Sequence, residues 1–113
     1  MRHEMKLQPD YFNYIKYGTK RIEIRLFDEK RQQIKIGDTI KFLKEPMLDE
    51  ELIVKVIGLL KYNNFKNMFN DFDISILADE SMIKDELINV LEKFYSKEKQ
   101  LQYGVLGIRF ELL

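Results

Sequence analysis

Apolar and polar positions alternate with two different periods along this 113-residue chain. His3 to Leu7 alternates residue by residue, the signature of a strand. Pro9 and Asp10 suit the first turn of a helix, and Tyr11, Phe12 and Ile15 then fall on one helical face. Gly18 predicts the stop, since glycine adopts the left-handed conformation at little cost. From Ile22 the period returns to two. Ile22, Ile24 and Leu26 lie on one side of a strand, with Arg21, Glu23 and Arg25 on the other. Asp28 to Gln33 is a polar connection, and Gly37-Asp38 marks a turn before the strand Thr39 to Leu43. Lys44 to Glu51 reads as a loop around Pro46, followed by a strand rich in β-branched residues from Leu52 to Leu60. Tyr62 to Asn70 predicts a short helix after a turn. A longer helix, capped by Asp79 or Ser81, runs to about Tyr95 with Leu87, Val90, Leu91 and Phe94 on its apolar stripe. Gly104 to Leu113 closes the chain as a strand.

The resulting order, β-α-β-β-β-α-α-β, has short connections and no internal repeat. It predicts a single α+β domain over residues 1–113, a small, curved, mostly antiparallel sheet or barrel with helices at its side. Alternating β/α units and a glycine-rich phosphate loop are both missing, which argues against a Rossmann-type nucleotide domain. The length accommodates one core.

Composition narrows the chemistry. With no cysteine and a single histidine, His3, neither a disulfide framework nor a thiolate or histidine metal site is expected. His3 is read as structural or cleft-lining, and no cofactor is expected. Neither a signal peptide nor a membrane span is visible, so an intracellular, cytoplasmic location is expected. The acidic run Asp71, Asp73, Asp79 and Glu80 lacks the spacing and glycine of a calcium loop. Net charge is zero, yet the charges are segregated. Between residues 16 and 44 nine lysines and arginines meet four acids; between 69 and 92 seven acids meet one lysine. A surface of that kind binds anions through short-range contacts rather than a long-range field.

The run Gly18-Thr19-Lys20-Arg21-Ile22-Glu23-Ile24-Arg25 concentrates the candidate chemistry. Glu23 and Arg25 share a strand face. In water their ion pair would contribute only ~0–1 kcal/mol, whereas in a cleft the same groups would orient a phosphate or a base edge. Tyr62 and Tyr103 are candidates for stacking on bases or for burying a ring with the hydroxyl at a cleft. Phe65 is read as core. Lys30, Arg31, Lys35, Lys41 and Lys44 read as solvated charges that would extend a nucleic-acid face.

Gly18-x-Lys20-x-x-Glu23-x-Arg25 is followed by Ile36-Gly37-Asp38-Thr39-Ile40-Lys41-Phe42, by Tyr62 with Phe65, by Phe94-Tyr95-Ser96, and by Tyr103-Gly104-Val105-Leu106-Gly107. In this order the pieces resemble the ASCH domain, a branch of the PUA-like superfamily, over nearly the whole chain. The resemblance implies a PUA-like β-barrel with a cleft between barrel and helices that binds RNA, a nucleoside or a nucleotide. Lys20, Glu23, Arg25, Tyr62, Tyr103 and Gly104 would form that cleft. It also implies an alternative. Some small bacterial members resemble amidohydrolases that deacetylate acetylated cytidine with a lysine, a threonine and a glutamate. The lysine matches Lys20, the threonine falls at Glu23, and the glutamate falls near Glu80. Loss of the threonine sets a binding protein ahead of an enzyme. An interaction module using the acidic helical face from Asp79 to Glu92 is the third reading, with any protein partner undefined.

Overall fold

The computed structural model describes all of residues 1–113. Five strands alternate with helices: β1 (Arg2–Leu7), α1 (Pro9–Lys16), β2 (Ile22–Leu26), β3 (Thr39–Lys44), β4 (Glu51–Tyr62), α2 (Phe65–Asp71), α3 (Ile74–Leu77), α4 (Lys84–Phe94), α5 (Lys97–Tyr103) and β5 (Val105–Leu112). The sheet order is β1-β3-β4-β5-β2. Three pairings are antiparallel, and β1 runs parallel to β3. The strands expected from alternation are therefore present. The sheet curls into a half-barrel, with β1 and β2 as its two edges.

Both faces of the sheet are covered. On the inner face, Phe12 and Ile15 of α1 pack with Phe42, Val54, Ile108 and Phe110. On the outer face, Ile22 and Ile24 of β2 meet Phe65, Met68 and Phe69 of α2, Leu77 of α3 and Leu87 of α4. Gly107 permits the second layer. A Cβ there would lie 3.3 Å from Ile22 Cγ2 and 3.4 Å from Met68 Cε. Phe65 is fully buried, as its sequence context implied.

The helical half departs from the sequence reading. α2 begins at Phe65, where the Asn64 side chain accepts the Asn67 N–H, while Tyr62 still belongs to β4. α4 begins at Lys84 rather than at Asp79 or Ser81. The Asp79 carboxylate accepts both the N–H and the hydroxyl of Ser81, which uses it in a turn. α3 and α5 were not anticipated. The four residues of α3 are too few to show a period. Lys97–Tyr103 is a polar run with no apolar stripe; it begins where the Ser96 hydroxyl accepts the Lys99 N–H and ends at Gly104 (φ 75°).

His3 belongs to the frame of the fold. Its Nε2 lies 2.8 Å from Asp38 Oδ2, and the same oxygen accepts the Lys35 N–H. The His3 hydrogen bond, with the Lys35 N–H next, pulls the Asp38 carboxyl down to about 2.

Candidate binding site at the barrel seam

Gly18 sets the site. At φ +83° it reverses the chain after α1, and the N–H groups of Thr19 and Lys20 both donate to the carbonyl of Tyr14. This turn brings the Lys20 side chain back beneath β2. Its Nζ donates to the carbonyls of Ile22 and Leu77, both at 2.6 Å, and lies 3.3 Å from Glu23 Oε1. An ammonium has three protons, and all three have acceptors. Glu23 presents its other oxygen to Arg25, whose Nε and Nη2 each approach Oε2 at 2.8 Å. Arg25 Nη2 also donates to the carbonyl of Lys6 at 2.9 Å. The Arg25 side chain thus spans from β2 to β1, across the gap between the two sheet edges.

The charged side of β2 is therefore not a solvated face. Lys20 and Glu23 are only 3% and 4% exposed. Register explains this: Glu23 pairs with Ile108 and Arg25 with Leu106, and cross-strand partners share a face. Both carry their charges onto the inner face of the half-barrel. Burial pushes the Lys20 ammonium below its ordinary pKa, although Glu23 opposes the shift. Burial by itself would raise Glu23, but Arg25 and Lys20 outweigh it and hold the carboxyl below the usual range. Arg25 loses solvent as well, yet Glu23 and then Tyr95 more than compensate, so it stays charged. Two basic side chains thus share a single carboxylate.

These three residues floor a cavity of about 180 Å³. Lys6, Gln8 and Glu45 contribute polar groups beside β1. The opposite wall is apolar, formed by Leu77 of α3 and by Leu87, Val90, Leu91 and Phe94 of α4. The apolar stripe of α4 is thus shared between core and cavity: Leu87 is buried, while Phe94 is 59% exposed. Tyr11 and Tyr95 complete the lining, with Lys20 Nζ 5.9 Å from the Tyr11 ring centroid. Burial, then Tyr14 and nearby carboxylates, raises the Tyr11 pKa, so its phenol stays protonated. Sequence reasoning treats Tyr11 as part of an apolar helix face and names Tyr95 only within the Phe94-Tyr95-Ser96 piece, not as a site residue. Their signal was present in the tyrosine hydroxyls, which need a partner or water when the ring is buried.

The remaining expected site residues lie elsewhere. Tyr62, Tyr103 and Gly104 line a second hollow, beside Phe27 and Lys61. The Tyr62 hydroxyl donates to Asp71 at 2.7 Å, which moves the phenol pKa up to about 12. Glu80 is exposed and lines neither hollow. No group of three histidine, aspartate or glutamate side chains is arranged to hold a metal ion.

The ASCH domain family model matches residues 5–113. The chain belongs to the ASCH domain family. It is 40% identical to the hypothetical protein PH0355, with all of both chains covered and a TM-score of 0.88. Protein PF0455 from Pyrococcus furiosus, solved in solution by NMR, is 38% identical over all of this chain and 98% of its own, with a TM-score of 0.79. An ASCH domain from Lactobacillus crispatus shares the fold at 15% identity and a TM-score of 0.67, covering 98% of this chain and 79% of that one. None of the curated proteins matches the chain. The seam cavity and its Lys20-Glu23-Arg25 floor are read from this chain's own side chains.

Proposed function

We propose that this ASCH domain binds RNA or a modified nucleoside by taking one unstacked base into the seam cavity. The observation that carries the reading is the buried Lys20–Glu23–Arg25 cluster beneath a half-apolar cavity. A volume of about 180 Å³ falls below the ~300–1,000 Å³ of sites for drug-sized ligands. It suits a single ring system better than a helix or a duplex. Sequence-specific RNA recognition uses bases splayed out of the stack, held by aromatic faces and by hydrogen bonds to their edges. Tyr11 and Tyr95 supply the rings. Arg25 Nη1 takes no part in the bonds to Glu23 and Lys6. It is the nitrogen left for the Tyr95 phenol and for a base edge. The setting proposed is cytoplasmic.

The geometry gives the amidohydrolase alternative less support. Lys20 has every proton committed to an acceptor, so it offers no lone pair to water or substrate. The position where the family's threonine falls is a carboxylate tied to two cations.

A shift-perturbation titration with the four nucleosides and short single-stranded RNA tests the reading. Shifts should cluster at residues 20–25 and 87–95. Arg25→Lys keeps the charge and removes the fork, and affinity should fall about 10- to 100-fold, as for loss of a hydrogen bond to a charged group. Shifts confined to other residues, or unaltered affinity in a folded Arg25→Lys protein, would sink it.

A further inference from the structure

The second hollow, about 580 Å³, opens where β4 ends and α5 meets β5. Carboxylates are common in this chain, with 19 aspartates and glutamates, yet none lines this hollow. Its walls are three aromatic rings, one lysine and the side-chain amides of Asn63, Gln100 and Gln102. The aromatic residues differ in how they are held. Tyr62 is committed, with its hydroxyl on Asp71 and its ring edge-on to Phe72 at 6.4 Å. Lys61 Nζ stands 4.3 Å over the Phe27 ring. Tyr103 is half-buried and its hydroxyl makes no hydrogen bond to the protein. Beside it Leu101 is 89% exposed.

The two hollows share no lining residue, but short stretches of chain and one side chain connect them. Phe27, which lines the second hollow, lies two residues beyond Arg25 of the first, ~7 Å along an extended chain. Gln100 lines the second hollow and donates to the carbonyl of Tyr95, which lines the first.

We propose that the second hollow binds the neighbouring nucleotide of the same single RNA strand. Its base stacks on Tyr103, its edge meets the Asn63 and Gln102 amides, and its phosphate lies near Lys61. This rests on the base-binding reading of the seam cavity and narrows it: the ligand is a strand of at least two nucleotides rather than a free nucleoside. Stacking platforms beside a cation, with amide groups for base edges, are the chemistry of single-strand recognition. A hollow without carboxylates spares a phosphate the like-charge repulsion it would meet along α4.

The test compares cytidine and uridine with unstructured hexamers of cytidylate and uridylate, by titration against wild type, Tyr103→Leu, Lys61→Ala and Arg25→Lys. Wild type should bind a hexamer more tightly than its nucleoside. Tyr103→Leu should cost the hexamer about 5- to 150-fold, the range of one base–aromatic stack, and leave nucleoside affinity within about twofold. Lys61 is exposed, so Lys61→Ala keeps the fold, and it should weaken hexamer binding and its salt dependence. Hexamer affinity unchanged in both Lys61→Ala and a folded Tyr103→Leu overturns the second site while leaving the seam cavity intact. Nucleoside binding as tight as hexamer binding also overturns it. Binding of neither probe by wild type would instead remove the base-binding reading itself, and this inference with it.

Discussion

Glu23 is the residue on which the site turns. It neutralises two cations that are otherwise held away from water, so removing its charge leaves both uncompensated. Glu23→Gln should cost about 3–5 kcal/mol, the range for breaking a buried pair by deleting one partner, measurable by urea denaturation at neutral pH. A cost under about 1 kcal/mol would indicate the weak coupling of an exposed bridge. Converting all three to similar-sized apolar residues (Lys20→Met, Glu23→Leu, Arg25→Met) should restore stability while abolishing nucleoside binding. Asp38 makes a different contribution at the far end of β3. Its carboxyl is held at about 2 by His3 first and the Lys35 N–H next, below the ordinary ~3.9. A depressed carboxyl stabilises the fold at pH values above its unfolded value, and that contribution is lost as pH falls through the folded one. Thermal melts between about pH 5 and about pH 2 should therefore show an acid-side decline, flattened in Asp38→Asn. An identical decline in the variant would assign the loss to other carboxylates.

At the scale of elements, two glycines separate conformational strain from steric exclusion. Gly18 (φ +83°) would place a Cβ in open space, whereas a Cβ at Gly104 (φ +75°, ψ 178°) would lie 3.1 Å from the carbonyl oxygen of Tyr62. Gly18→Ala should cost about 1–2 kcal/mol from the left-handed conformation alone, and Gly18→Asn less. Gly104 occupies a region open essentially to glycine, worth about 1–3 kcal/mol of strain, with the clash added, so Gly104→Ala should be the more damaging and Gly104→Asn should not rescue it. Melting of the four variants orders them. Gly18 was legible as a stop in the sequence because a helical face ends beside it. Most strands were legible from residue-by-residue alternation, and β4 from its run of β-branched residues. α5 was not, since its stability comes from Ser96 at one end, Gly104 at the other and the buried Gln100 bridging to the N–H of Phe65 and the carbonyl of Tyr95, none of which leaves a period. The burial of Glu23 was hidden for a related reason. Alternation assigns Arg21, Glu23 and Arg25 one common face, but whether that face meets water depends on α1 and α4, which lie far away in the chain.

Over the whole molecule, a net charge of zero conceals a division between a basic segment from Lys16 to Lys44 and acidic helices beyond it. Single-stranded ligands should feel the first and avoid the second. A strand contacting two or three phosphates should give a log–log salt slope of about −1.5 to −2, at ~0.7 per phosphate. Hexamer titrations across salt concentrations measure it, and a flat dependence would place recognition in the cavity alone. The half-barrel adds a mechanical consequence. Between β1 and β2 no strand-to-strand ladder runs; one guanidinium reaching the Lys6 carbonyl bridges that interval. A sheet interrupted there breathes first along that line, where local opening breaks least. Anything lodged on Arg25 becomes a sixth stave, joining the first residues of the chain to its second strand. Amide exchange in β1 and β2 should then slow on ligand addition while the long β4–β5 ladder keeps its rate, so that occupancy could be followed by isotope uptake at two edges alone.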